Sequence, residues 1–101
     1  MEVDMTPHTI EALAALYAAK LRAGGISPQR IDPTCSFGEV TQSDVLAHAL
    51  YLSEQLPTFV HQEDSLGKAN RHLTAIQMCL SFARVYTLNE LMAHNRPLLL
   101  K

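Results

Sequence analysis

The side chains best able to do chemistry in this chain are five histidines and two cysteines: His8, His48, His61, His72 and His94, with Cys35 and Cys79. Imidazoles ligate transition metals or act as general bases, and a thiol beside one can be a nucleophile. Their spacing argues against each role. No two histidines stand at i, i+4 on one helix, and there is no HExxH pair, so metal ligands would have to converge from separate elements. His48 and His72 fall on the two arms of an expected helical hairpin. Pairing those arms by their apolar rows places His72 beside Leu56, about two turns from His48. Cys79 adjoins the apolar position Leu80, where a thiol is usually an inert small hydrophobe, and Cys35, in a loop, is the better reactive candidate. The two cysteines form no CxxC pair. Glu54, Glu63 and Asp64 do not recur as acidic pairs on both arms, as a metal-dependent nucleotide hydrolase of this size would require. Gly24-Gly25 reads as a helix stop, not a phosphate loop. No cofactor is expected, and the sequence leans away from an enzyme.

A second pattern is a polar row on the third helix. Asn70, Gln77 and Arg84 recur every seven residues beside an apolar row, with Arg71, Thr74 and Ser81 flanking them. Such a row is either a solvated face or a buried edge that fixes helix register or a dimer, as one polar seam residue does in coiled coils. His48 and Tyr51 on the second helix could supply its partners. Charge is also uneven. Residues 1–65 hold three basic against nine acidic side chains, net −6, and residues 66–101 five against one, net +4. Lys68, Arg71 and Arg96 are possible anion contacts, but basic residues this dispersed make a poor phosphate footprint. The two halves packing together, within a chain or across a dimer, explains the split more simply.

The elements that must position these residues are legible as helices. Thr6-Pro7 is an N-cap followed by proline at the first helical position. Ile10, Leu13, Ala14, Tyr17 and Leu21 then keep helical spacing, so a helix is expected over about 7–23. Residues 24–41, broken by Pro28, Pro33 and Gly38, read as an internal loop or linker pinned by Ile26, Ile31, Phe37 and Val40. Thr41 to Asp44 opens the second helix, with apolar positions at Val45, Ala49, Leu52, Leu56 and Phe59. Pro57 should kink that helix, since the apolar spacing continues through Phe59 and Val60. After a polar turn at 61–65, Leu66, Ala69, Leu73, Ile76, Leu80 and Ala83 repeat the 3,4 rhythm. The expectation is an all-α single domain, built on an antiparallel hairpin of about 42–62 and 66–84. A capping box at Thr87 and Glu90 starts a short helix over about 88–94.

The chain has 101 residues, 48% of them hydrophobic, with only 18% charged and a net charge of −2. A low charge fraction on a small helical chain leaves apolar surface in want of a cover, as does the tail Leu98 to Leu100. No run approaches a membrane span, and the acidic start is unlike a secretory signal, so a cytoplasmic location with reduced thiols is expected.

The segment Lys68 to Pro97 resembles small helical-hairpin proteins of bacteria and tailed phages. The likeness rests on His72, Leu73, Ile76, Gln77 and Leu80, followed by Tyr86, Thr87, Leu88, Glu90, Leu91, His94, Asn95 and Pro97. Residues 44–59 are similar to the first arm of those proteins, although Pro57 departs from them. The resemblance implies a hairpin and no activity. The reading that follows is a non-enzymatic protein-interaction or self-assembly module, a homodimer by expectation. The alternative is a nucleic-acid accessory or regulatory protein using Lys68, Arg71, Arg84 and Arg96. A small enzyme built on His48 or His72 is the third.

Overall fold

A computed structural model describes residues 6–96; Pro97 and the apolar tail at 98–100 lie outside the described residues. Helix α1 spans Pro7–Ala23, α2 Gln42–Gln55, α3 Leu66–Phe82 and α4 Leu88–Asn95. There is no strand among the described residues.

Local chemistry sets each boundary. The Thr6 hydroxyl accepts the Thr9 N–H at 3.1 Å, satisfying a donor left free at the start of α1. At its other end Gly25 takes φ +83°, its N–H bonds the Arg22 carbonyl and that of Ile26 bonds Leu21. This is a Schellman closure, for which glycine is the ordinary residue. α3 closes identically, with Arg84 N–H on Ser81 and Val85 N–H on Leu80, but here an arginine holds φ +64°. Arg84 is therefore an exposed helix stop and not a member of a buried polar row. Capping boxes at Thr41/Asp44 and Thr87/Glu90 start α2 and α4 as the sequence predicts.

Pro57 ends α2 instead of kinking it. The helix stops at Gln55, and Leu56–Thr58 form a single 3-10 turn. Proline offers no N–H for the Ser53 carbonyl, and its ring crowds the preceding turn. Phe59 and Val60 are nonetheless buried, so the continuing apolar rhythm reported burial and not helix.

α2 and α3 pack antiparallel. Gln42, at the start of α2, donates to the Ala83 carbonyl just past the end of α3 at 2.5 Å, and Phe59 meets His72 edge-on at the opposite end. Ala69, Leu73, Ile76, Leu80 and Ala83 are buried as their spacing requires, whereas Leu66 is 44% exposed. Each arm also buries residues off its row: Leu50 and Ser53 on α2, Gln77 and Cys79 on α3. The cause is α1, which packs on both arms with Ile10, Ala14, Tyr17, Ala18 and Leu21 inward. The core is a three-helix arrangement, with Leu91 of α4 joined to it. The loop before α2 is tied down by Gln29 N–H on the Ala47 carbonyl and Ile31 N–H on His48 Nδ1. Ile26 and Val40 pack against the core. Phe37, expected to pin this loop, is 48% exposed.

Candidate functional site

Three places gather the side chains singled out above. The first surrounds Gln77. Its carboxamide and that of Asn95 bond reciprocally, Gln77 Nε2 to Asn95 Oδ1 at 2.7 Å and Asn95 Nδ2 to Gln77 Oε1 at 3.1 Å. Gln77 Nε2 also donates to the Tyr17 hydroxyl at 3.1 Å. That hydroxyl lies 2.8 Å from His94 Nδ1, and as an acceptor from Gln77 it is free to donate there. Burial, the largest cause, raises the Tyr17 pKa, which keeps the phenol protonated and able to donate. Tyr86 stands edge-on to His94 with centroids 4.7 Å apart. The network joins α1, α3 and α4, and among the described residues no buried side-chain polar atom lacks a partner. Gln77 is thus satisfied within its own chain by Tyr17 and Asn95, not by His48 and Tyr51. Asn70 donates to the Leu66 carbonyl of its own helix. The row spaced by seven therefore does three unrelated things.

The second place is an open cleft of about 580 Å³, with His48 and Tyr51 of α2 on one side and Lys68 and His72 of α3 on the other. The two histidines line this same cleft. His48 Nδ1 accepts the Ile31 N–H at 3.2 Å, so neutral His48 carries its proton on Nε2. His72 Nδ1 faces the Lys68 carbonyl at 3.1 Å, so neutral His72 carries its proton on Nδ1 and leaves Nε2 bare. Arg30 also lines the cleft, and among the described residues no carboxylate does. The Lys68 ammonium sits 4.2 Å from the centroid of the Phe59 ring. Of the three possible anion contacts, only Lys68 lines this space; Arg71 and Arg96 do not.

Burial is the leading cause lowering the pKa of both His48 and His72; cationic neighbours add to it, Arg30 for the first and Lys68 and Arg71 for the second. A histidine whose pKa is lower folded than unfolded takes up its proton more readily unfolded. Its stabilising share is complete above the ordinary value of about 6.5 and is lost as pH falls below it. Urea midpoints measured at neutral pH and near pH 5 should therefore fall with acidity. A His48→Asn, His72→Asn double variant should show a shallower fall between the same two points. Equal slopes would remove these two rings as the cause.

The third place is a cluster the sequence did not reveal. His8 and Glu11 share a face of α1, and His61 arrives from the turn after Pro57. Their potential ligand atoms all lie within 4.8 Å of one another. The His8–Glu11 spacing was visible, but nothing in the sequence placed His61 above it. The thiols take no part: burial pushes Cys79 up to about 11, which leaves it unreactive, and Cys35 is free and exposed.

Large apolar side chains are also exposed. On α3 Met78 is 54% and Phe82 56% exposed, and on α4 Leu88 is 59% and Met92 49%. Each pair is one turn apart on its helix. Among the described residues no helix is long and apolar enough to cross a membrane. Comparison with family models, with curated proteins and with solved structures finds no significant match to this chain.

Proposed function

We propose that the chain is a self-association module whose second copy covers Met78, Phe82, Leu88 and Met92. The observation that supports this reading is those four side chains, each about half exposed, on two consecutive helices. Methionine and aromatic residues are enriched where protein surfaces meet, and two exposed apolar pairs, each one turn apart on its helix, are stripes that a partner can cover. Two charges lie between them along the chain, Arg84 before Leu88 and Glu90 after it. Neither is in an ion pair among the described residues. A twofold dimer presents the same surface from both copies, so any Arg84–Glu90 contact between copies forms twice. One cation and one carboxylate beside an apolar centre suit a copy of this chain better than a strongly charged partner. The low charge fraction of the whole sequence agrees with that choice.

Sedimentation equilibrium should return twice the 11.2 kDa chain mass. Phe82→Glu should return the single-chain mass with an unchanged helical circular dichroism spectrum, because its side chain is exposed in the lone chain. A monomeric wild type at millimolar concentration, or a Phe82→Glu variant that stays dimeric, would overturn the proposal. The cleft that holds Arg30 and Lys68 favours a second reading, in which a small anion or a nucleic-acid phosphate binds there.

A further inference from the structure

We propose that His8, Glu11 and His61 form a binding site for a divalent transition-metal ion, with Zn(II) the best suited. Two imidazoles and one carboxylate are a donor set that zinc and its neighbours accept, with the remaining coordination positions left to water. The site is built by the fold and does not depend on one flexible side chain. His8 and Glu11 stand at i, i+3 on α1 and so project from one face. The turn that delivers His61 is held from beneath by Phe59 and Val60, which are 7% and 1% exposed. Pro57 is what makes that turn, because it ends α2 at Gln55, four residues before Phe59.

The distances suit the ion. Zinc bonds of about 2.0–2.2 Å place tetrahedral neighbours roughly 3.4 Å apart. The ligand atoms here lie within 4.8 Å of one another, and His61 Nε2 is 2.8 Å from Glu11 Oε1. The His8 and His61 ring centroids are 5.0 Å apart. Changes on the scale of side-chain rotation close the set around one ion. His61 now donates its Nε2 proton to Glu11; on metal binding the cation takes the place of that proton, and the neutral ring carries its hydrogen on Nδ1. Access is open, since the His61 and Glu11 side chains are 47% and 36% exposed. One factor opposes binding: the site lies near the amino end of α1, where the helix dipole disfavours a cation. The Glu11 carboxylate answers it with a full charge at ligand distance.

The test is calorimetric titration of the full chain with zinc chloride, supported by the visible absorption of the Co(II) form. One ion per chain is expected. Outer-shell partners alone are commonly worth 10–100-fold in affinity, so removing a direct ligand by His8→Ala, His61→Ala or Glu11→Gln should raise the Kd at least about tenfold. Cys35→Ser and His72→Asn, which alter other potential ligands, should leave it within about twofold. Phe82→Glu should also leave it unchanged, which separates this site from self-association. No binding by the wild-type chain, or binding that survives His61→Ala or Glu11→Gln, would overturn the proposal.

Discussion

Replacing Tyr17 with alanine is expected to lower the unfolding free energy by about 4 kcal/mol, in the range of large-to-small changes at a closed core site. Tyr17 has no exposed surface. Its ring stands between α1 and the α4 region, 5.8 Å from Tyr86 and 5.7 Å from His94 by centroid. Three helices meet there, so the walls cannot collapse into the gap without moving one of them. The hydroxyl adds a separate part, since it joins Gln77 to His94. Tyr17→Phe keeps the ring and removes only that link, and should cost about 1–2 kcal/mol. The smaller figure follows because Gln77 keeps Asn95 as a partner and His94 is only half-buried, within reach of water. Against a total of about 5–15 kcal/mol for a domain of this kind, the alanine variant should be marginal and the phenylalanine variant folded. Urea titration of both measures the difference. Equal losses would mean that the hydroxyl network, and not ring packing, dominates at this position. Hydrogen exchange should place the Tyr17→Phe effect first in α4, which holds His94, Asn95 and Leu91 but little else of the core.

Much of this arrangement was legible because short-range rules wrote it. Capping at Thr6, Thr41 and Thr87 depends on residues at most three apart, and each cap formed as its sequence required. The apolar rows identified the faces of α2 and α3 that meet. What escaped was long-range. Gln77 looked like a register residue because its spacing matched Asn70 and Arg84, but its partners come from 60 residues before it and 18 after it. Periodicity along one helix cannot name partners on others. Arg84 misled for a different reason: it occupies a left-handed cap position that favours glycine, so nothing in its side chain announced the role. Pro57 showed that an apolar rhythm carries information about burial first and about helix second. The His8, Glu11 and His61 cluster joins residues 50 apart across two elements, and it exists only because the chain turns where Pro57 forces it.

That turn is expected to depend on one hydroxyl. Ser65→Ala should destabilise the fold by about 2 kcal/mol, within the range for orphaning buried hydrogen-bonding groups. A serine ahead of a helix ordinarily caps it, but Ser65 bonds backwards: its Oγ lies 2.6 Å from the Gln62 carbonyl, 2.7 Å from that of Phe59 and 3.3 Å from that of Val60. A hydroxyl has one proton to give, so these acceptors share it. The residue is only 8% exposed, so water cannot readily replace what alanine removes. Thr58 provides the comparison. Its hydroxyl donates to the Gln55 carbonyl at 2.6 Å, an equally short bond, but at an exposed position. Thr58→Ala should therefore cost no more than about 0.5 kcal/mol, since solvent takes over the freed carbonyl. Measured side by side in urea, the two alanine variants separate burial from bond length as the source of the stabilisation. Equal losses would defeat the burial argument. A loss at Ser65 alone would identify this buried hydroxyl as the link that holds the turn between α2 and α3, and with it His61, against the rest of the bundle.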